Sequence, residues 1–397
     1  MTNAIRKKKR PYLYEVDLMR CIFIFGVLAN HTTSEFTAGF SASSKEYYFL
    51  LATHLVLHFT RMGFMFITGL VLFLGYYNKP KINYPQFWFK RYKGSGIPYL
   101  FWNGFFLFFT AIVAGETLKL NTWFTEWISA VIHGDHFYLY YILVTMQLYL
   151  IFPIMVWIYK KTEGHHNLVL TISAIIQFIF LIYTKYIFPY ISHDGWPFLL
   201  RSYGMFVLSY QFYFMAGAYV SIHYKEVTEF VTKWHKRIYW ITAGLAVGTL
   251  GLFYYNYYIL KLSRHYVNLV HQPYLMIYAS FMILSIMSLS LQYAKKRTQP
   301  KWQGFAKAVG LSSKLSFGVY LTQTASLALL AYLIDLLKTQ VNSIVLLLLL
   351  PLGYLIVLGG AWLISYFCYK VPPFGVLVGR PQKLRKRKEK DYDKANA

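Results

Sequence analysis

Residues 12–32 read YLYEVDLMRCIFIFGVLANHT. A run of about 20 mostly apolar residues is what a helix needs to cross roughly 30 Å of hydrocarbon. This run nevertheless carries Asp17, Arg20 and His31. An arginine at mid-span costs about 2.5–3.5 kcal/mol on insertion scales, so it has to face protein or a wet cavity. Asp17, one turn earlier on the same face, is placed to be its counter-charge. His31 follows Arg20 by about three helical turns, or roughly 16 Å along the axis, and points the same way. Taken alone, this span allows two descriptions. Arg20 and His31 are a functional pair, or Arg20 only pairs with Asp17 while His31 is an interfacial histidine.

Similar apolar runs recur along the whole chain, and none shows the period-two alternation of barrel strands. They fall near residues 54–76, 97–115, 138–159, 168–190, 204–223, 238–258, 271–293, 315–335 and 343–369. With the first, they predict an all-α, polytopic bundle of about ten transmembrane helices with both termini cytoplasmic. The basic residues test that map. With the N-terminus inside, 31 of the 40 Lys and Arg fall on the cytoplasmic side and 7 in outer loops, leaving Arg20 and Arg61 in or at the edge of spans. That bias is the positive-inside pattern. The two longest outer segments, near 33–53 and 116–137, have room for short helices.

Composition agrees. The 397 residues are 57% hydrophobic and only 14% charged, against about 25% charged in a soluble domain. The formal net charge of +25 belongs to membrane topology rather than to nucleic acid, because no soluble domain separates the apolar runs. Residues 1–375 form one transmembrane domain and 376–397 a basic cytoplasmic tail suited to anionic lipid. Cys21 and Cys368 lie in distant apolar runs without metal-type spacing. No cleavable signal peptide is visible, since Asp17 and Arg20 interrupt the first apolar segment. No phosphate-binding loop is present.

The pattern Asp17–Arg20–His31 in a first span resembles the acyltransferase-3 family of integral-membrane O-acyltransferases. Other segments fit in the same order: FMFITG at 64–69, KRYK at 90–93 followed by IPY at 97–99, HFY at 136–138 with YLIFP at 149–153, FYFMAGAY at 212–219 and SFGVYL at 316–321. The resemblance is closest to the subgroup that exports or modifies intercellular-adhesion polysaccharide. It implies transfer of an acetyl or succinyl group from cytoplasmic acyl-CoA to a hydroxyl of a cell-surface or exported polysaccharide, at the cell membrane. The glycan acceptor and polysaccharide-synthesis proteins are the implied partners. The alternative is a polysaccharide exporter or flippase without acyl transfer.

On this reading His31 is the general base, Arg20 holds the donor carbonyl or stabilises developing negative charge, and Asp17 orients Arg20. Lys90, Arg91 and Lys93 sit at the inner mouth, where cations engage the donor's phosphates. Arg61, His136, Ser316 and Tyr320 complete the expected substrate and donor set. Two positions depart from the resemblance. Gly94 stands where many members carry a second arginine. Thr322-Gln323 stands where many carry a histidine, and a glutamine cannot shuttle a proton.

Other features have simpler descriptions. His54 and His58 are four residues apart but lack the glutamate of a zinc-protease motif, so an interfacial pair is preferred and no metal is predicted. His133, Asp135 and His136 make a polar outer loop. His165 and His166 fall in a short inner turn and are expected to be solvated. Trp123, Trp127 and Trp196 suit an interfacial belt, with stacking on sugar rings as the other use.

Overall fold

A computed structural model describes residues 12–382, apart from residues 114, 116, 118 and 135 and the side chains of residues 264 and 265. Asp135 and the basic residues after 382 therefore lie outside the described residues. Among the described residues every regular element is helical. A bilayer demands this, because its core offers no water to satisfy open backbone groups.

The central helix is α1 (Tyr14–Ala38). The next segment folds as α2 (Lys45–His54), whose first turn is capped by Ser44 Oγ accepting from the Tyr47 amide at 3.1 Å. Then come α3 (Phe59–Tyr76), the long α4 (Tyr84–Val113) and the amphipathic α5 (Leu120–His133). Thus both long segments expected outside hold helices. The chain continues through α6 (Tyr140–Lys161) and α7 (His166–Tyr186). A short α8 (Phe198–Arg201) leads through two 3-10 turns to α9 (Gln211–Ile222). α10 (Tyr224–Tyr254) ends in a π turn, and a short α11 (Arg264–Val267) precedes α12 (Pro273–Lys296) and α13 (Gln303–Leu337). A short α14 (Ser343–Leu348) precedes α15 (Leu350–Lys370), and a 3-10 strap at Phe374–Val378 folds back onto the bundle.

Eight helical stretches among the described residues are long and apolar enough to cross a membrane. Of the ten spans predicted from sequence, the first and the sixth are not among them. α1 is long enough but diluted by Glu15, Asp17, Arg20 and Glu35. α9 has only 12 residues, because the chain before it is spent in 3-10 turns. The outward faces are apolar, with Trp240 80% and Leu348 72% exposed, while Asn30, His31, Thr60 and Gln177 are buried. Apolar side chains turned outward, with polar groups held inside, are what lipid selects as solvent.

Glycine sets the closest helix crossing. A Cβ on Gly217 of α9 would lie 2.0 Å from the Phe66 carbonyl oxygen of α3, and one on Gly69 would lie 2.1 Å from the Phe214 carbonyl oxygen. The two backbones touch, as small residues permit in membranes. Gly217→Ala is expected to destabilise by about 1–3 kcal/mol or more through overpacking, read as a lower unfolding temperature in detergent. An unchanged temperature would refute this crossing.

Two cores follow. One gathers Phe73, Phe152, Tyr213, Phe214 and Tyr278 from α3, α6, α9 and α12. The other gathers Tyr99, Phe106, Val319, Leu321 and Val357 from α4, α13 and α15. α1 contributes to both, with Phe23 in the first and Leu28 in the second.

Candidate functional site

One cavity of about 230 Å³ runs along α1 between the two cores. Its wall includes Arg20 and His31 of α1, Arg61 of α3, Arg91 of α4, Tyr140 and Tyr141 of α6, Ser316 and Tyr320 of α13, and Arg380 beyond the strap. Four guanidinium groups and no carboxylate line it among the described residues. Such a space favours an anionic ligand.

At one end stands His31, 6% exposed. Among the described residues it makes no hydrogen bond, so its ring nitrogens are left for a ligand. Arg61 lies close enough for its charge to act on His31. Its guanidinium sits 5.4 Å from the centre of the Tyr140 ring, with the Tyr210 hydroxyl beside it. His31 and Arg61, on different helices, thus face one space.

The Tyr138 ring covers His31, with centroids 4.0 Å apart. It arrives there through an unusual turn between α5 and α6, where Phe137 and Tyr138 both take left-handed backbone angles (φ 57° and 61°). Non-glycine residues in that region cost about 1–3 kcal/mol each and persist only where the surroundings hold them. α13 does the holding. Tyr320 Oη donates to the Tyr138 carbonyl, and Thr324 Oγ1 donates to the Phe137 carbonyl at 2.9 Å. Beyond Tyr138 lies a second cavity, walled by Glu35, Phe137, Tyr138, Tyr140 and Thr324 among others. Tyr140 belongs to both walls. The Tyr138 hydroxyl reaches Glu35 Oε1 at 3.4 Å.

The other end of the cavity is held by Arg20, Arg91 and Arg380. Arg20 makes no hydrogen bond or ion pair among the described residues. Asp17 does not bind it directly. The Asp17 carboxylate accepts from Ser313 Oγ at 2.7 Å and from Tyr12 Oη at 3.0 Å, tying α1 to α13. Asp17 still acts on Arg20 through its charge. Arg91 lies about 6 Å from the rings of Phe87 (5.7 Å) and Tyr149 (5.9 Å), and its Nε is buried without a partner. Lys90 and Lys93 are exposed and do not line the cavity. Lys90 and Lys93, three residues apart, share one helix face, about 100° and 160° round from Arg91, so the rotation that turns Arg91 inward turns both lysines away.

Several expectations change. His136 lies outside both cavity walls. Tyr320 lines the cavity and also pins the turn. Ser316 lines it and donates back to the Ser313 carbonyl at 2.9 Å. His54 and His58 are bridged by Asn30 Nδ2, at 3.3 Å from each, and His58 Nε2 lies 3.2 Å from the Asn268 carbonyl. They are an internal hydrogen-bonded pair rather than an interfacial one. His166 is not solvated: it is buried between the Tyr159 carbonyl (2.8 Å) and His223 Nε2 (2.9 Å). Trp123 and Trp127 donate to the carbonyls of Gly104 (3.3 Å) and Leu100 (3.0 Å), docking α5 on α4. Gln323 is fully buried with neither amide atom partnered. Arg380, Tyr140 and Glu35 were not anticipated as site residues.

The model of the family described as acyltransferase domain matches residues 13–366, nearly the whole chain. No curated protein matches the chain, and no solved structure does.

Proposed function

The chain belongs to the acyltransferase-domain family, and from that membership we propose that it is a membrane O-acyltransferase. It moves an acetyl or succinyl group from cytoplasmic acyl-CoA to a hydroxyl of a cell-surface or exported polysaccharide. The observation that carries this reading is one cavity that holds an unbonded imidazole at one end and three guanidinium groups at the other. The 31-to-7 charge bias supports ten spans in the cell membrane with both termini cytoplasmic, α1 and the short α9 included. The Arg20 end is then the donor side and the His31 end the acceptor side.

The transfer balances on this chain's own residues. His31, neutral, takes the proton of the acceptor hydroxyl as its oxygen attacks the thioester carbonyl. A carbon–oxygen bond forms and the carbon–sulfur bond breaks. The thiolate leaves as the CoA thiol, carrying the proton that His31 returns. The charge that builds on the carbonyl oxygen needs a donor beside His31. About 16 Å of helix separates Arg20 from His31, so Arg61 fits that role better. Arg20 is then left to hold the donor's anionic part, with Asp17 fixing α1 against α13.

The acceptor reaches His31 from the second cavity, past Tyr138. In the resting arrangement Tyr138 excludes water from the donor. Tyr138→Ala is expected to raise donor hydrolysis relative to transfer by about tenfold, a change of ~1.4 kcal/mol between the two barriers. Free acid and acylated glycan measured from the same labelled donor give the ratio; an unchanged ratio would remove the gate. The overall reading is tested by labelled acyl-CoA in proteoliposomes containing the purified chain and a polysaccharide acceptor. Labelled glycan is the expected product. Passage of glycan across the bilayer without acyl-CoA, and without labelled product, would favour the exporter.

A further inference from the structure

Arg380 lies beyond the residues matched by the family model, which end at 366. It nevertheless lines the same cavity as Arg20 and Arg91. Composition assigned residues 376–382 to the tail, yet they are built into the fold. Trp102 Nε1 of α4 donates to the Leu377 carbonyl at 2.8 Å. Gln382 Nε2 donates to the carbonyls of Cys368 and Tyr369, both at 2.9 Å, while its Oε1 accepts from the Gly375 amide at 2.9 Å. The Arg380 amide donates to the Gly375 carbonyl at 2.7 Å. Val378 is 2% exposed.

Gly379 makes the turn that delivers the arginine. Its φ is +67°, and a Cβ there would lie 3.1 Å from the Gly94 carbonyl oxygen and 3.0 Å from the Phe317 ring. The strap therefore rests on α4 and α13 together. Arg380 Nε donates to the Lys314 carbonyl at 3.2 Å. Among the described residues its terminal nitrogens have no partner, and Arg20 is close enough to feel its charge. Three like charges gathered around one opening, with no carboxylate in the wall, repel one another until an anion arrives.

We propose that the strap after α15 is a working part of the donor site, and that Arg380, with Arg20 and Arg91, clamps the phosphates of the acyl-CoA donor. The proposal rests on the acyltransferase reading for the identity of the donor. The geometry agrees with it, because phosphates held near Arg20 leave about 16 Å to His31, a span for the pantetheine arm to bridge. The two terminal nitrogens of a guanidinium match phosphate oxygens in a way a lysine does not.

The test is binding to the full chain in neutral detergent, with CoA and its phosphate-free fragment pantetheine as probes. Arg380→Gln is expected to weaken CoA binding about tenfold or more, the scale of a charge-assisted hydrogen bond, and to leave pantetheine binding unchanged. Arg380→Lys, which keeps the charge without the fork, is expected to fall between. An unchanged unfolding temperature in these variants shows that the strap is still docked. Equal weakening of CoA and pantetheine, or no weakening of CoA, would overturn the proposal, as would a wild-type chain that binds no CoA. Phosphatidylglycerol carries the same phosphate chemistry. If it binds as well as CoA and both are lost in Arg380→Gln, the clamp is a lipid site and the donor assignment falls. Binding of CoA by a wild-type chain that transfers no acyl group would refute the acyltransferase reading and leave the clamp standing.

Discussion

His31→Ala is expected to lower acyl transfer by about 10²–10⁴-fold, the usual contribution of a positioned general base. His31 lines the cavity, is nearly fully buried, and makes no hydrogen bond among the described residues. A histidine kept for structure alone would have its nitrogens bonded, as those of His58 and His166 are. The loss should fall on kcat, with CoA binding unchanged, because the proposed donor site holds the anionic part at the far end. His31→Gln keeps a polar side chain of similar reach but cannot take the proton near neutral pH. It should therefore be as inactive as alanine. Transfer from labelled acyl-CoA in proteoliposomes measures both. Wild-type rates in either variant, with the protein at normal level, would end the base assignment. Removing His31 also frees the Tyr138 ring, so the unfolding temperature of each variant belongs beside its rate.

The helical architecture was legible because apolar runs of membrane length act over long windows. α1, diluted by its charges, and α9 were the weak points. The sequence near 204–223 is apolar enough for a span, but hydropathy does not register that its first third folds as 3-10 turns. The pair on α1 was legible because helical periodicity places Arg20 and His31 on one face with no further information. Periodicity also put Asp17 one turn from Arg20. It could not show that Ser313, almost 300 residues away, would take the carboxylate.

The same limit explains Lys90 and Lys93. A run of cations marks a membrane edge, while the choice of Arg91 as the inward member depends on how α4 is rotated against Phe87 and Tyr149. Arg380 was hidden in a basic tail whose other members look alike. One signal was present: the apolar stretch FGVLV at 374–378 has no reason to stand in a solvated tail. A short apolar segment after the last span marks chain that packs. Tyr138 stood in the HFY segment of the resemblance, but nothing there foretold its turn, since two successive left-handed residues without glycine are imposed by tertiary contacts to α13 rather than by local preference.

Arg61→Ala is the second large effect, expected to cut kcat by about 10²–10³-fold, the loss seen when one donor to a developing oxyanion is removed. The expectation follows from where charge appears. In the proposed transfer, negative charge collects on the thioester carbonyl oxygen within reach of His31, not about 16 Å away at Arg20, as the acceptor oxygen adds. Arg61 is the cation at that end. It is steadied by the Tyr140 ring at 5.4 Å and by the Tyr210 hydroxyl, and the enclosed site screens its field less than open water would. Arg20→Ala should divide differently: KM for acyl-CoA rises while kcat with saturating donor changes less, because in the proposed arrangement Arg20 acts on a part of the donor that does not react. Arg61→Lys restores the charge without the planar fork and should recover part of kcat. Steady-state kinetics of the three variants separate the roles. If Arg61→Ala raised KM alone while Arg20→Ala lowered kcat alone, the two arginines would have to exchange places, and the thioester would sit beside Arg20, in the first third of α1, rather than beneath Tyr138.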